Sequence, residues 1–408
     1  MKRLLAKNIG PIRNENNAWV EMRKVTILCG PQGAGKSTLA KLFSEFCWLE
    51  KAMTRGDFLS DELTAHDRFR KKYCSFHNIQ NYFRSDTYIR YEGDKYAFTY
   101  ENSKLDVVLA NGHDYVRPQV MYIPAERNLL NVVDNADSIK GLPSALDVLL
   151  TEYINALRAL SGTESLPIPG YAVHYDKLNK IAWLDGADFK VRISESASGF
   201  QSLIPTVLVS RYLGRQVAAR GDDPQNKSTE SYAERERRDK AIRSLLNDTA
   251  IDDATRLTLI KQLSTNTRNG RLINVVEEVE QNLFPASQKH VLYELLKINN
   301  ELPLNRLMLT THSPYILNYI SLAVKAGNLS ASISDEKGKS ALCEIIPQQS
   351  QLRTEDVGIY EISADGEISR LGTVYGIPQD NNFLNNALED SNETFDLLMD
   401  IEEEYAAD

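Results

Sequence analysis

The feature that most constrains how this chain can fold is the eight-residue stretch Gly30–Ser37, which reads GPQGAGKS. It follows the apolar run Val25–Cys29 and precedes Thr38–Phe43, where apolar residues recur at helical spacing. A strand, a glycine-rich loop and a helix in that order are the context that the pattern G-x-x-x-x-G-K-[ST] requires. The stretch therefore predicts a nucleotide-binding α/β domain organised around this loop.

Each part of the loop has a physical role in binding phosphate. Glycines let successive backbone N–H groups turn toward an anion, and the helix that follows points its positive end at the same place. Lys36 is expected to reach the β- and γ-phosphates of ATP, and the Ser37 hydroxyl is expected to bind Mg²⁺. The predicted ATP-binding residues of the loop are Gly30, Gln32, Gly33, Ala34, Gly35, Lys36, Ser37 and Thr38.

A second apolar run ends in two carboxylates. Leu272–Val276 has the composition of a buried strand, and Glu277 and Glu278 follow it directly. Phosphoryl transfer needs one group that places the metal ion and another that places the attacking water. We expect Glu277 to hold Mg²⁺ through water and Glu278 to be the catalytic residue that orients the attacking water. Acidic residues also follow strands as helix caps, so this prediction depends on the phosphate loop upstream.

Two further segments have a structural and a functional interpretation. His312 follows the run Leu309–Thr311, one β-α unit after the acidic pair, where its imidazole is predicted to sense the γ-phosphate during catalysis. A histidine with a purely structural role is the alternative. Ser194–Ser202 opens a predicted helix, and its Ser198 and Gly199 can present a hydroxyl and N–H groups to an anion. An ordinary serine N-cap is the alternative at that helix.

Composition excludes several classes of protein. No apolar run in the 408 residues approaches the ~20 residues that a membrane-spanning helix needs. The start, Met1–Asn8, is interpreted as a first β-strand and not as a signal peptide. The four cysteines show no C-x-x-C spacing, which indicates reduced thiols, a cytoplasmic protein and no zinc site. The net charge of −9 means that any contact with nucleic acid must come from a local basic patch.

The predicted organisation is a discontinuous head with one insertion and a tail. Residues 1–212 and 270–375 are assigned to the head, residues 213–269 to an inserted helical arm, and residues 376–408 to an acidic C-terminal tail. Alternating residues between positions 88 and 111 predict an antiparallel β patch. Short strands are predicted within 341–375, with a hairpin at Asp365-Gly366.

The arm and the tail each leave two interpretations open. The mixed-charge helix Glu234–Lys240 of the arm is either a solvated face or a patch that contacts DNA or protein. From Glu389 to Asp408 the tail has nine acidic residues and no lysine or arginine. Phe395, Leu398 and Met399 have the spacing of a short amphipathic helix, so the tail is either a solvated end or a docking segment for a basic partner.

Taken together, the motifs resemble those of ABC-type ATPases, in the branch that contains SMC/Rad50-like proteins and overcoming-lysogeny (OLD) nucleases. Gly30–Ser37 matches Walker A, Ser196–Gln201 resembles the signature motif, and Glu277–Pro285 is similar to Walker B and the D-loop. Thr311–Pro314 is similar to the switch-histidine loop. Tyr122–Arg127 resembles a strand and turn of these ATPases, near which the Q-loop function is expected. The motifs occur in family order.

This chain departs from the family pattern at two places. Val279 stands where the family usually has proline, and no glutamine marks the Q-loop. The resemblance still implies an α/β fold: an ABC-type P-loop ATPase head with a mixed sheet, an antiparallel β patch and a helical lobe from which the arm is inserted. It also implies ATP and Mg²⁺ as cofactors. In such ATPases ATP holds a head-to-tail dimer or higher oligomer together, so Ser198 and Gly199 of one protomer are expected to complete the ATP site of the other.

The resemblance also implies a function. No Asp-x-Asp pattern of a Toprim nuclease follows His312, so the chain resembles the stand-alone ATPase subunit of a two-gene anti-phage system, with PARIS-type systems first and retron- or Septu-associated ATPases next. The expected activity is slow, regulatory ATP hydrolysis by a sensor and scaffold without nuclease activity. It would hold or release a separate toxic effector, expected to be a Toprim-type nuclease, with a phage protein as a possible trigger.

The alternative is a DNA-repair ATPase of the RecF/Rad50 kind, with DNA as a direct ligand. Such proteins normally have a long heptad coiled coil or a strongly basic face. This chain has neither sustained heptads nor a basic balance. Salt-dependent DNA binding by the isolated chain distinguishes the two hypotheses.

Overall fold

A computed structural model describes residues 2–55, 63–110, 115–134, 138–219, 240 and 269–405. Most of the predicted arm at 213–269 therefore lies outside the described residues, as do Asn111, at the end of the predicted β patch, and the last three residues of the tail. Among the described residues, no helix is long and apolar enough to cross a membrane.

The described residues form runs of consecutive strands separated by helices. The strands are β1 (Arg3–Ile9), β2 (Val20–Glu21), β3 (Val25–Cys29), β4 (Phe83–Glu92), β5 (Tyr96–Glu101), β6 (Lys104–Leu109), β7 (Pro118–Ile123), β8 (Glu164–Ser165), β9 (Ala172–Asp176), β10 (Ile181–Asp185), β11 (Lys190–Arg192), β12 (Arg271–Val276), β13 (Arg306–Thr311), β14 (Val357–Ile362), β15 (Ile368–Arg370), β16 (Thr373–Val374) and β17 (Ile377–Pro378). The helices are α1 (Lys36–Arg55), α2 (Ser144–Ala159), α3 (Ser198–Ala218), α4 (Pro285–Asn300), α5 (Pro314–Ser332), α6 (Glu336–Ile345) and α7 (Phe383–Tyr405).

A six-stranded mixed sheet forms the centre of the fold, in the order β15-β14-β3-β13-β12-β7. All neighbours are parallel except β15, which is antiparallel to β14. Val276 of β12 pairs with Ile123 on one side and with Leu309 on the other, and Thr311 of β13 pairs with Cys29 of β3. Five parallel strands therefore end at one edge of the sheet, which is where open α/β sheets bind their ligands.

The central sheet separates two hydrophobic cores. In β12, Leu272 and Val276 face the core that contains α2, α3, α4 and α5. Ile273 and Val275 face the other core, which contains α1 and the antiparallel sheet. All four side chains are at most 2% exposed, because a parallel strand covered on both faces must be apolar at successive positions.

The predicted antiparallel β patch is a five-stranded sheet in the order β2-β1-β4-β5-β6. Its inner face packs against α1 through aromatic rings. Phe46 of α1 stacks on Tyr91 at a centroid distance of 5.1 Å and on Phe69 at 5.2 Å, and all three rings are buried. Aromatic side chains supply much apolar area per residue, so this cluster fixes α1, and with it the start of α1 beside the phosphate loop.

The helical part of the head lies on the opposite face of the central sheet. It contains α2 and α3 together with a small sheet in the order β11-β10-β9-β8. Tyr171, before β9, contacts Phe200 in the first turn of α3 at a centroid distance of 4.6 Å. Helix α3 continues past the boundary predicted at residue 212 and ends at Ala218. The predicted α/β class, with a mixed sheet and an antiparallel β patch, is confirmed.

One local prediction was wrong in part. The segment 341–375, for which short strands were expected, begins inside α6. Asp335 caps this helix by accepting a hydrogen bond from the Gly338 N–H at 2.9 Å, and such a cap stabilises a helix that the pattern of alternation does not reveal. The hairpin at Asp365-Gly366 does lie between β14 and β15, with Gly366 at φ 85°.

Candidate nucleotide-binding site

The predicted phosphate loop leaves the carboxyl end of β3 and leads directly into α1. Gly30, Gly33 and Gly35 have positive φ angles of 142°, 79° and 111°. A Cβ at Gly30 would lie 2.1 Å from the carbonyl oxygen of Ile362, and one at Gly35 would lie 2.4 Å from Cδ1 of Ile12. Both positions therefore favour glycine for two reasons, the backbone conformation and the lack of space.

The Lys36 side chain is folded into the loop. It is 4% exposed, and its Nζ donates hydrogen bonds to the carbonyl oxygens of Gly30 and Pro31, both at 2.8 Å. Burial lowers the pKa of Lys36 to about 8, and surrounding negative charges, that of Glu278 among them, oppose the fall. The loop thus holds a cation where the sequence pattern predicts phosphate.

The other predicted loop residues divide between solvent and core. Gln32 and Gly33 are exposed, whereas Ala34 and Thr38 are buried. Ser37 is partly buried and close enough to Glu277 for its hydroxyl to lower the pKa of that carboxyl. The loop is therefore open to solvent at Gln32 and Gly33, and its Ser37 lies beside the strand that carries the acidic pair.

Glu277 is a buried carboxylate at the carboxyl end of β12, and its side chain is 3% exposed. Its Oε1 forms no hydrogen bond with any residue that the structure describes. Burial raises the pKa of Glu277, while the Lys41 ammonium and the hydroxyls of Tyr122 and Ser37 lower it. A buried carboxylate oxygen without a donor, beside a serine hydroxyl, is the kind of oxygen ligand that Mg²⁺ prefers. These residues fit a magnesium ion.

Glu278 adopts a left-handed backbone conformation with φ 42°, which is uncommon for a residue other than glycine. Its N–H donates to Thr310 Oγ1 at 2.9 Å. Its side chain is 39% exposed, and its carboxylate lies 3.9 Å from Nε2 of His312. The turn therefore directs two adjacent carboxylates into different environments, with Glu277 buried and Glu278 at the open face.

His312 extends the site from the neighbouring strand β13. Its Nδ1 lies 3.4 Å from Lys36 Nζ, and its Nε2 is the nitrogen near Glu278. Burial and the Lys36 charge lower the pKa of His312, so the imidazole is neutral at pH 7. Because an ammonium can only donate, we assign Nδ1 as acceptor and place the ring proton on Nε2. That tautomer can donate a hydrogen bond at the open face.

Glu280 belongs to the site, although the sequence assigned it no role of its own. Its Oε1 accepts a hydrogen bond from the His312 N–H at 2.5 Å, and its Oε2 accepts one from Thr311 Oγ1 at 2.9 Å. It therefore holds the loop that carries His312. The signal was an acidic residue two positions after the pair, but nothing in the spacing says that it reaches the end of the next strand.

The signature-like turn starts α3. The N-cap residue is Ala197, which forms no side-chain cap, so the alternative of an ordinary serine N-cap is not realised. Ser198 is exposed. A Cβ at Gly199 would lie 2.7 Å from the carbonyl oxygen of Asn282, and its other close neighbours belong to Asn282 and Leu283. The turn thus packs on the loop after Glu278, and its contact with a second protomer stays a prediction.

No protein-family model and no curated protein matches the sequence. Among solved structures, the chain is similar to an SMC head bound to the C-winged-helix domain of ScpA, with a TM-score of 0.38 and 11% identity over 91% of this chain and 98% of that chain. It is also similar to the SMC head domain from Thermotoga maritima, with a TM-score of 0.33 and 12% identity over 78% and 90% of the two chains. Both overlaps are loose, so the function proposed below stands on the residues of the site.

Proposed function

We propose that this chain binds ATP with Mg²⁺ at the carboxyl edge of its central sheet and hydrolyses it slowly as a regulatory ATPase. The observation that carries the proposal is the convergence of three chemical groups at the ends of β3, β13 and β12. These are the Lys36 ammonium, the neutral imidazole of His312, and a pair of carboxylates in different environments. Phosphoryl transfer needs this combination of charge, metal placement and water placement.

Each side chain has a role that follows from its surroundings. Lys36 and the N–H groups of the loop bind the β- and γ-phosphates, and Ser37 and Glu277 hold the metal ion, Glu277 through water. Bound Mg²⁺ supplies neutralisation of the phosphate charge. Glu278 orients the attacking water and accepts its proton, because its carboxylate lies at the open face. His312 donates from Nε2 to the charge that develops on the γ-phosphate.

We also propose that two heads associate head to tail when ATP is bound. Ser198 lies exposed at the start of the 21-residue helix α3, where N–H groups of the first turn are available to an anion. On this proposal, Ser198 and Gly199 of one protomer approach the ATP that Lys36 of the other protomer holds. ATP then stabilises the dimer because it binds both protomers together.

We further propose that this ATPase is the sensor and scaffold of an anti-phage defence complex. Every residue from 389 to 405 of α7 is exposed, including Phe395, Leu398 and Ile401. An apolar stripe within an acidic helix suits a partner with a basic, partly apolar surface. We propose that this partner is the separate effector, a Toprim-type nuclease that the ATPase holds until a phage protein triggers its release.

The ATPase proposal is tested with the purified full chain. We expect ATP to bind with Mg²⁺ present and to be hydrolysed slowly, and we expect EDTA to abolish hydrolysis. Glu277→Gln keeps the shape of the side chain but removes its charge, so it should weaken the Mg²⁺ dependence of ATP binding. A chain that neither binds nor hydrolyses ATP at millimolar concentrations would overturn the proposal.

A further inference from the structure

Arg127 is among the largest fully buried side chains of the described chain, with 1% exposure. Its hydrogen bonds go to backbone carbonyl oxygens. Nη1 donates to Glu277 at 2.6 Å and to Pro124 at 3.2 Å, Nη2 donates to Glu278 at 2.7 Å, and Nε donates to Ser202 at 3.2 Å. The planar guanidinium therefore binds the backbone of both acidic residues of the site at once.

These hydrogen bonds join three segments of the chain. The first is the turn after β7, the second is the end of β12 with the acidic pair, and the third is Ser202, the fifth residue of α3, which begins at Ser198. Two further hydrogen bonds reach the same turn of α3. Asn131 Nδ2 donates to the Gln201 carbonyl at 2.8 Å, and Asn282 Nδ2 donates to Ser202 Oγ at 3.3 Å. The start of α3 is thus tied to the acidic pair.

Burying a guanidinium carries a large desolvation free energy, so it is a poor way to stabilise a fold. Burial lowers the pKa of Arg127 to about 10, and the carboxylates Glu280, Glu278, Glu277 and Glu126 oppose that fall, so the group remains charged at pH 7. Well-packed apolar residues often replace a buried charge with no loss of stability. A role in positioning accounts for the arginine better than stability alone does.

The backbone that Arg127 binds is strained. The left-handed conformation of Glu278 is unfavourable for a residue other than glycine and persists because its carbonyl and N–H groups are both held, by Arg127 and by Thr310. We propose that Arg127 is a positioning residue that couples the Ser198–Gly199 turn to the placement of Glu278, so that docking at the start of α3 sets the turnover rate. This inference rests on the proposed ATPase function.

Lysine cannot replace arginine in this role. A single ammonium has no planar fork and cannot span three segments with fixed geometry. The test therefore compares Arg127→Lys and Arg127→Met with a matched control, Arg271→Lys, in the full chain. Arg271 lies at the opposite end of β12, is 6% exposed and bonds to Asp94 at 2.5 Å. The control removes a buried guanidinium from the strand that carries the acidic pair, at the end of that strand away from the site.

The readouts are thermal stability, ATP affinity with Mg²⁺ present, and kcat and KM. We expect both Arg127 variants to bind ATP within about twofold of wild type while kcat falls ~10-fold or more, which indicates an interaction needed for turnover and not for binding. The Arg271→Lys variant should keep its kcat even where its Tm falls. Equal kcat in folded Arg127 and Arg271 variants would overturn the inference, and so would failure of both Arg127 variants to fold.

A second readout addresses the coupling itself. If docking at α3 sets the rate, the turnover per protomer of the wild type should rise with protein concentration as dimers form. Arg127→Lys should still dimerise with ATP by light scattering, while its turnover per protomer stays flat. A variant whose turnover rises like that of the wild type would overturn the coupling. A wild type that does not hydrolyse ATP would instead remove the proposed function, so the two failures are distinguishable.

Discussion

Two regions of the molecule are rich in carboxylates, and their environments are opposite. At the carboxyl edge of the central sheet, Glu277 is buried, Glu280 is hydrogen-bonded to the His312 loop, and the backbone of Glu278 is held by Arg127. In α7, every residue from 389 to 405 is exposed. The first region holds its acidic residues in fixed positions, and the second exposes its acidic residues to water.

The difference indicates which properties let a carboxylate take part in binding and chemistry. Burial raises the pKa of Glu277 and of Glu280, and fixed neighbours decide what each oxygen can bind. Carboxylates in water are solvated and screened by salt, and a single one contributes little to stability. Substitutions at the sheet edge should therefore change chemistry, whereas substitutions among the exposed residues 389–405 of α7 should change only what the helix binds.

The largest expected effect is that of Glu278→Gln. Glutamine keeps the size of the side chain but cannot accept a proton, so turnover should fall ~10²-fold or more while ATP still binds. The variant should accumulate as an ATP-bound dimer, which light scattering detects. Normal hydrolysis by Glu278→Gln, with unchanged Mg²⁺ dependence in Glu277→Gln, would mean that the carboxylates at the sheet edge are not the catalytic ones.

The next prediction tests whether a second protomer completes the ATP site. Ser198→Arg places bulk and charge at the exposed start of α3, where the second protomer is predicted to meet ATP. Overpacking at a contact costs about 2 kcal/mol, or ~30-fold in dimer affinity. One protomer should still bind ATP in a titration, but ATP-driven dimerisation and hydrolysis should fail. A variant that dimerises like the wild type would show that the turn contacts only its own chain.

The next largest effect is that of Lys36→Ala, which should lower the affinity for ATP. It removes the buried ammonium that the loop holds, so ATP affinity should fall at least ~10-fold, or about 1.4 kcal/mol. The fold should survive, as judged by circular dichroism. A titration that gives wild-type affinity would contradict the placement of the phosphates at this loop.

The Lys36 side chain also predicts that the affinity for ATP depends on pH. The pKa of Lys36 is about 8 in this structure, and bound phosphate would raise it because phosphate is negative. ATP binding then takes up a proton above pH 8, so the dissociation constant should rise up to about tenfold per pH unit between pH 8 and 10. Lys36→Ala should lack this dependence. An equal slope in both proteins would assign it to another group.

The smallest effects on stability are expected in α7, and two leucines of the helix form a matched pair. Leu384 packs against the core at the base of the helix, whereas Leu398 is 58% exposed. Leu384→Ala should lower the free energy of unfolding by about 1 kcal/mol, and Leu398→Ala by less than about 0.5 kcal/mol. Deleting residues 387–408 should leave ATP turnover unchanged but loosen the effector, measured by co-purification. Loss of turnover would place the tail in the catalytic machinery.

The local features of this protein could be predicted from patterns of neighbouring residues. The glycine-rich loop could be predicted because its pattern encodes a backbone conformation, and Gly30 and Gly35 do occupy positions with no space for a side chain. The strand before it and the helix after it followed from the period of apolar residues. The α/β class and the antiparallel β patch could be predicted for the same reason, since each depends on patterns within a few residues.

The distant residues that hold the site in place could not be predicted, because strand order brings them together. Arg127 meets Glu277 across 150 positions of sequence because β7 and β12 are parallel neighbours in the central sheet. Glu280 reaches the backbone of His312 because β12 and β13 are neighbours too. A local pattern predicts which side chains a strand or helix buries. Strand order, which such a pattern does not contain, determines which strand ends are neighbours. The acidic pair was therefore visible in the sequence, and the groups that hold it in place were not.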